Sequence, residues 1–211
     1  MTKKYNFKKN KFTIIRKAIN KELAIFVYNY FSIKKQVSRT MFDARYISPF
    51  TTEFGIWDDP QAPGTYSHYA DAAMETLLLL VQPIMEKKTG LKLAPTYSYA
   101  RLYKKGDVLH RHKDRFSCEI STTMNLGGDK WPIYLEPSGK LNKEGIKINL
   151  GPGDMLVYRG CDVEHWREPF QGEDCAQVFL HYNNSATPKG EKNIYDNRIH
   201  LGLPKWFARP K

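Results

Sequence analysis

From Leu93 onward the chain breaks into short runs of β-forming residues separated by turn residues, and this texture restricts the possible folds more than any other feature. The runs are Thr96–Tyr103, Val108–His112, Cys118–Leu126, Ile133–Glu136, Ile146–Leu150, Asp154–Arg159, Val163–Trp166 and Cys175–Tyr182. Gly127-Gly-Asp, Pro137-Ser-Gly and Gly151-Pro-Gly-Asp punctuate them, supplying residues that turn the backbone at little steric cost. Short strands at this spacing predict either a double-sheet jelly roll or a barrel. The first 92 residues are different in kind. Thr13–Ile19 suits a first strand, and Asn20 is placed to cap a helix with Leu23, Phe26, Val27, Tyr30 and Phe31 on one face. Residues 41–65 are rich in Pro, Gly, Thr and Asp and predict a long loop of the kind that often serves as a lid. A second helix is expected from His68 to Lys88, its face formed by Ala73, Leu77, Leu80, Val81 and Ile84, with Pro83 kinking or breaking it. Helices come first and a β-rich core second.

Composition sets outer limits. With 211 residues and 41% hydrophobic content, the chain suits one well-cored domain. We expect residues 1–92 to be an N-terminal extension of that domain (basic tail, supporting helices and long loop), 93–183 its β core, and 184–211 a C-terminal extension. The longest aliphatic run, Leu77 to Val81, is five residues, against the roughly 20 that a membrane-crossing helix needs, so no membrane role is expected. The N-terminal lysines have no apolar stretch behind them and do not read as a signal peptide. Cys118, Cys161 and Cys175 are odd in number and lack CxxC spacing, which predicts free thiols and a cytoplasmic location. The net charge of +11 owes much to the stretch from Met1 to Lys17, with seven Lys or Arg and no acid. That tail reads as solubilising, with contact to nucleic acid the less favoured alternative.

The chemistry concentrates in three residues. On a strand, residues i and i+2 share a face, so His112 and Asp114 can present an imidazole and a carboxylate side by side. His165, fifty-one residues beyond Asp114, supplies a second imidazole near the start of a late strand. Two histidines and one carboxylate with the remaining positions open form the facial triad of non-haem Fe(II) oxygenases. Structural zinc would instead close its shell with four ligands, usually including thiolates. Around the triad, His181 reads as a buried, hydrogen-bonded histidine, His110 as a bystander or supporting group, and His68 and His200 as surface residues.

The segment Tyr103-Lys-Lys-Gly106-Asp-Val-Leu109-His-Arg-His112-Lys-Asp114 resembles the metal-binding segment of prolyl 4-hydroxylase-type 2-oxoglutarate dioxygenases. Ile148-Asn-Leu-Gly-Pro-Gly-Asp-Met-Leu-Val-Tyr158 is similar to the strand, Gly-Asp turn and strand that precede that family's distal histidine. Val163-Glu-His165-Trp-Arg-Glu-Pro169 and the run from Ala176 complete the likeness, which spans residues 93–183. The resemblance implies a mostly β fold with N-terminal helices, specifically a double-stranded β-helix (jelly roll). It implies Fe(II) held by His112, Asp114 and His165, with 2-oxoglutarate and O2 as co-substrates and ascorbate as an accessory reductant. The implied reaction is hydroxylation of a C–H bond in a protein or peptide, with a peptidyl proline as the nearest match.

Two departures stand out. Leu109 occupies the place of the family's second tyrosine. The Lys or Arg expected about ten residues after the distal histidine is missing from Gly172-Glu-Asp-Cys-Ala-Gln177, although a buried carboxylate needs a cation. Strand alternation puts Arg101 on the same face as Tyr103, which makes these two the expected 2-oxoglutarate contacts. Arg159 and Arg167 are then expected near the substrate mouth, with the 41–65 loop covering the substrate. The alternatives are a same-fold nucleic-acid demethylase, against which stands the lack of an Arg-x-Asn-x-x-x-Arg segment after His165, and a cupin-like metal-binding module without turnover.

Overall fold

The computed structural model describes residues 5–140 and 143–209, so the first four residues of the basic tail lie outside it. Among the described residues, ten strands form two antiparallel sheets. The larger contains β1 (Phe12–Ile15), β8 (Met155–Arg159), β5 (Ile120–Gly128), β10 (Asp174–Asn184), β3 (Leu93–Lys104) and β2 (Tyr66–Tyr69), in that spatial order. The smaller contains β4 (Leu109–His112), β9 (Glu164–Arg167), β6 (Ile133–Glu136) and β7 (Ile146–Ile148), also in that order. Four α-helices accompany them among the described residues: α1 (Phe7–Asn10), α2 (Lys21–Asp43), α3 (Ala72–Thr89) and α4 (Pro188–Lys192).

Alternation along the strands explains the layering. On β10, Ala176, Val178, Leu180 and Tyr182 belong to the core that also contains Val27 and Phe31 of α2 and Leu77, Leu78, Val81 and Met85 of α3. Burying each of those leucine-sized side chains is worth about 1.5–3 kcal/mol relative to exposure. The other face of β10 carries Cys175, Gln177, Phe179 and His181, and β3 aligns Tyr103, Arg101, Tyr99 and Tyr97 opposite them. Polar and aromatic residues therefore collect on the face turned away from the helices, and that face helps line the cavity described below.

Asn20 caps α2 as expected, its side chain accepting from the Leu23 N–H at 2.8 Å. The buried stripe is Ala24, Val27, Phe31 and Ser38, whereas Phe26 is 69% exposed. The sequence offers large apolar residues on two neighbouring stripes of this helix, and the sheet takes the one containing small Ala24. The second helix starts at Ala72, where Asp71 accepts from the N–H groups of Ala73 and Met74. The residues before it form β2, with His68 opposite Ala100, so His68 is buried rather than at the surface. Pro83 does not break α3, which runs on to Thr89. Pro83 and Leu79, four residues earlier, are both exposed. Water can therefore satisfy the carbonyl that loses its partner while the buried face holds the helix to the sheet.

Candidate metal centre

β4 and β9 pair so that His112 lies directly opposite His165, and their ring centroids are 4.2 Å apart. Asp114 follows two residues past His112, just beyond the end of β4. Its backbone N–H donates to the Gly160 carbonyl at 2.9 Å, which turns the carboxylate back toward the two rings. Asp114 Oδ1 then lies 3.7 Å from His112 Nε2 and 3.6 Å from His165 Nε2. One ligand atom from each of the three residues falls within 4.8 Å of the others. The structure thus brings His112, Asp114 and His165 together at one point between the sheets.

The surroundings prepare these atoms for a cation. His112 Nδ1 meets the His110 carbonyl at 2.7 Å, and His165 Nδ1 meets the Val163 carbonyl at 3.0 Å. A carbonyl can only accept, so each Nδ1 carries the proton and each Nε2 presents a lone pair. Burial pushes the His165 pKa down; His112 and Arg167 add to that, while Asp114 and the Val163 carbonyl oppose it. The neutral, ligating form is therefore favoured at this ring. Ser121 Oγ donates to Asp114 Oδ2 at 2.7 Å, leaving Oδ1 facing the imidazoles. The Tyr158 hydroxyl sits 3.3 Å from His165 Nε2. This donor set, two imidazoles and a carboxylate with their lone pairs converging, fits a divalent ion with open coordination positions.

Asp114 also takes part in a second convergence with Cys118 and His181. Burial brings the His181 pKa down to about 4, and its Nδ1 meets Ser121 Oγ at 2.9 Å. It is the buried, hydrogen-bonded histidine expected from the sequence. The side chain of His110 is exposed, and only its carbonyl serves the site.

All three ligands open onto a cavity of about 830 Å3. Its walls include Tyr97, Tyr99 and Phe179 from the larger sheet and Leu109 from the smaller. Ile56, Asp59, Pro60 and Gln61 from the loop before β2 form one side, and Lys205 and Trp206 from the C-terminal segment form another. The loop is held down by a buried clamp. Arg101 donates to Asp59 Oδ2 through Nε at 2.9 Å and Nη2 at 2.6 Å, to Gln61 Oε1 at 2.7 Å, and through Nη1 to the Tyr103 hydroxyl at 3.1 Å. Burial pushes the Asp59 pKa up, but Arg101, the Tyr99 hydroxyl and the Gln61 N–H outweigh it and leave the value below the ordinary carboxylate range.

These contacts alter several sequence-based expectations. Arg101 does face the cavity beside Tyr103, yet its guanidinium is already neutralised by Asp59 rather than free for a ligand carboxylate. Tyr103 is fully buried against Trp131. Arg159 does not line the cavity: its guanidinium lies over the Phe7 ring, on the far side of β8. Arg167 is not at a mouth either, being 1% exposed in the interior. The Asp59–Arg101 clamp and the Lys205–Trp206 wall were not anticipated. Asp59 lies 42 residues from Arg101, and only the acidic Trp57-Asp-Asp-Pro turn hinted that the loop carried a fixed charge.

Gly160 marks how tightly the carboxylate is packed. A Cβ there would stand 2.2 Å from the Cys118 carbonyl oxygen, 2.3 Å from Asp114 Oδ2 and 2.8 Å from Ser121 Oγ. Gly160→Ala should therefore displace Asp114, destabilise the fold by about 1–3 kcal/mol, and weaken divalent-metal binding. Thermal melts together with equilibrium dialysis against Fe(II) check this, and an alanine variant with wild-type metal affinity would contradict it.

No protein-family model and no curated protein matches the sequence itself. Solved structures do match in fold. A prolyl-4-hydroxylase from Pseudomonas putida aligns at a TM-score of 0.56 and 15% identity, covering 84% of this chain and 95% of its own. The non-haem α-ketoglutarate-dependent epimerase SnoN of nogalamycin biosynthesis aligns at 0.59 and 10% identity, covering 85% and 81%. A prolyl hydroxylase from Trichoplax adhaerens, solved with a hypoxia inducible factor peptide fragment, aligns at 0.55 and 14% identity, covering 85% and 86%. The chain has the fold shared by prolyl hydroxylases and other 2-oxoglutarate/Fe(II) oxygenases.

Proposed function

We propose that this chain is a 2-oxoglutarate- and Fe(II)-dependent dioxygenase of double-stranded β-helix fold that hydroxylates a C–H bond. The observation that carries the reading is the convergence of His112, Asp114 and His165, each held in a ligating orientation, at the wall of a substrate-sized cavity. These three residues would hold Fe(II). When bound, the ion together with 2-oxoglutarate and O2 supplies the oxidising chemistry, yielding succinate and CO2 alongside the hydroxylated product.

The protein's own contribution is placement. The His110 and Val163 carbonyls fix the two imidazoles, and Ser121 fixes the carboxylate. Tyr103 lies among the inward-facing residues of β3, where its hydroxyl would contribute to the 2-oxoglutarate pocket. The loop clamped by Asp59 and Arg101 forms one side of the cavity, and the clamp orders the wall that a substrate would meet.

For the substrate we favour a peptidyl proline. Tyr69, Tyr97, Tyr99, Phe179 and Trp206 line the cavity, and aromatic walls suit the preformed, apolar surface of a proline-containing segment. The likeness to two prolyl hydroxylases, one of them solved with a peptide, supports the same class. The test is mass spectrometry of proline-containing peptides after incubation with protein, Fe(II), 2-oxoglutarate and air. The expected product carries one added oxygen on proline, formed only when 2-oxoglutarate is present. Added oxygen on a small molecule and never on a peptide would contradict the substrate assignment.

A further inference from the structure

A buried guanidinium normally has an anion beside it, because an uncompensated charge in the interior is costly. Arg198 is paired with Glu75 and Arg101 with Asp59, both in the interior. Arg167 is the exception. It is 1% exposed, and no carboxylate contacts it among the described residues. Nη1 donates to the Trp131 carbonyl, Nη2 reaches Thr123 Oγ1 at 3.3 Å, and Nε has no partner among the described residues. Its surroundings are polar but uncharged: Thr123 Oγ1 donates to Gln177 Oε1 at 3.1 Å, and Gln177 Nε2 donates to Cys175 Sγ at 3.1 Å. Cys175 offers no charge of its own, since burial pushes its thiol pKa up.

The position of this cation is informative. Arg167 follows His165 by two residues on β9, so both side chains emerge on the same face, toward the interior. Cys175 stands ten residues after His165, on β10 opposite Tyr103, where the resemblance would put a Lys or Arg. The Arg167 guanidinium lies 5.0 Å from the centroid of the Trp131 ring, which packs edge-on against Tyr103 in the cluster that also holds Cys175, so it reaches the same region from the other sheet. Resting on the proposed function, we propose that Arg167 receives the distal carboxylate of 2-oxoglutarate, the cation having moved from β10 to the facing strand β9. Arg101 serves instead to clamp the loop. The guanidinium fork matches a carboxylate through two parallel N–H donors, and the unpartnered Nε is one donor available for it.

Anaerobic Fe(II)-loaded protein titrated with 2-oxoglutarate, and separately with 2-oxopentanoate, tests the assignment. Both molecules have the chelating 2-oxo acid end, and only the first has a distal carboxylate. The charge-transfer absorption that accompanies chelation gives each affinity without any turnover. Wild type should prefer 2-oxoglutarate by on the order of a hundredfold or more, as expected for a buried charge pair. Arg167→Gln should lose that preference through weaker 2-oxoglutarate binding, with Fe(II) and 2-oxopentanoate affinities unchanged. Arg167→Met, which fills a similar volume without charge, carries the same expectation if the glutamine variant does not fold. A folded Arg167 variant that keeps the wild-type preference overturns the proposal, and so does a collapse of preference in Arg101→Gln alone. Absence of any absorption change in wild type would overturn the oxygenase reading itself, and this assignment with it.

Discussion

Replacing His112, Asp114 or His165 by alanine, one at a time, is expected to abolish tight Fe(II) binding while the protein remains folded. Each residue contributes one of the three donors that converge among the described residues, and losing one leaves the ion to water and buffer at that position. Perturbing a residue that merely supports a ligand typically costs 10–100-fold in metal affinity, so loss of a ligand itself should cost more. The fold should tolerate the changes unequally. His112 and Asp114 sit at the cavity wall and are partly solvated, so removing them releases little packing. His165 is buried, and its loss strips the Tyr158 hydroxyl of its partner, at about 1–3 kcal/mol. Equilibrium dialysis against Fe(II) alongside thermal melts reads both effects. A single alanine variant that bound iron like wild type would remove its residue from the site.

Glu75→Ala is expected to have the largest effect on stability. Arg198 donates through Nη2 to Glu75 Oε1 at 2.7 Å, and both side chains are almost wholly buried. The same carboxylate accepts from the Ser98 N–H at 3.2 Å and from the Gly202 N–H. Arg198 also donates to the Thr96 and Leu203 carbonyls, at 2.9 Å and 2.6 Å. One carboxylate thus joins α3, β3 and the C-terminal segment. Removing it leaves a buried guanidinium uncompensated, a loss of about 3–5 kcal/mol from a typical total of about 5–15 kcal/mol. For a chain of this length the melting temperature should fall by roughly 6–20 °C, read by calorimetry. The segment that carries Lys205 and Trp206 should also become more susceptible to proteolysis, which links a residue remote from the metal to the cavity wall. An unchanged melting temperature would contradict this account of the segment's attachment.

The β core was legible because alternation is a local signal. All eight runs read from residues 93–183 appear as strands, Ile133–Glu136 at identical boundaries and the others within a few residues. What escaped was either short or not local. β2 has only four residues and sits beside a turn-rich loop, so its second half, His68 and Tyr69, reads as the start of a helix. The buried face of α2 depended on which stripe the sheet could approach closely, and the sequence offered two. For the candidate site, the His-x-Asp spacing and the late histidine were visible as residues. Their mutual approach depends on the pairing of β4 with β9, two strands far apart in sequence. The charge balance was not legible at all. Strand alternation favoured Arg101 as the free cation over Arg167, and only the contact with Asp59 and the enclosure by Thr123 and Trp131 show which is neutralised and which unpaired.

The most direct measurement of the central claim is the fate of 2-oxoglutarate with purified protein. Protein loaded with Fe(II) in the absence of oxygen, given 2-oxoglutarate and then air, should form succinate and CO2 in equal amounts, and the Asp114→Ala variant should form neither. Wild-type protein that binds Fe(II) and still leaves 2-oxoglutarate intact, even with proline-containing peptides present, would contradict the assignment of this chain as a 2-oxoglutarate-dependent oxygenase.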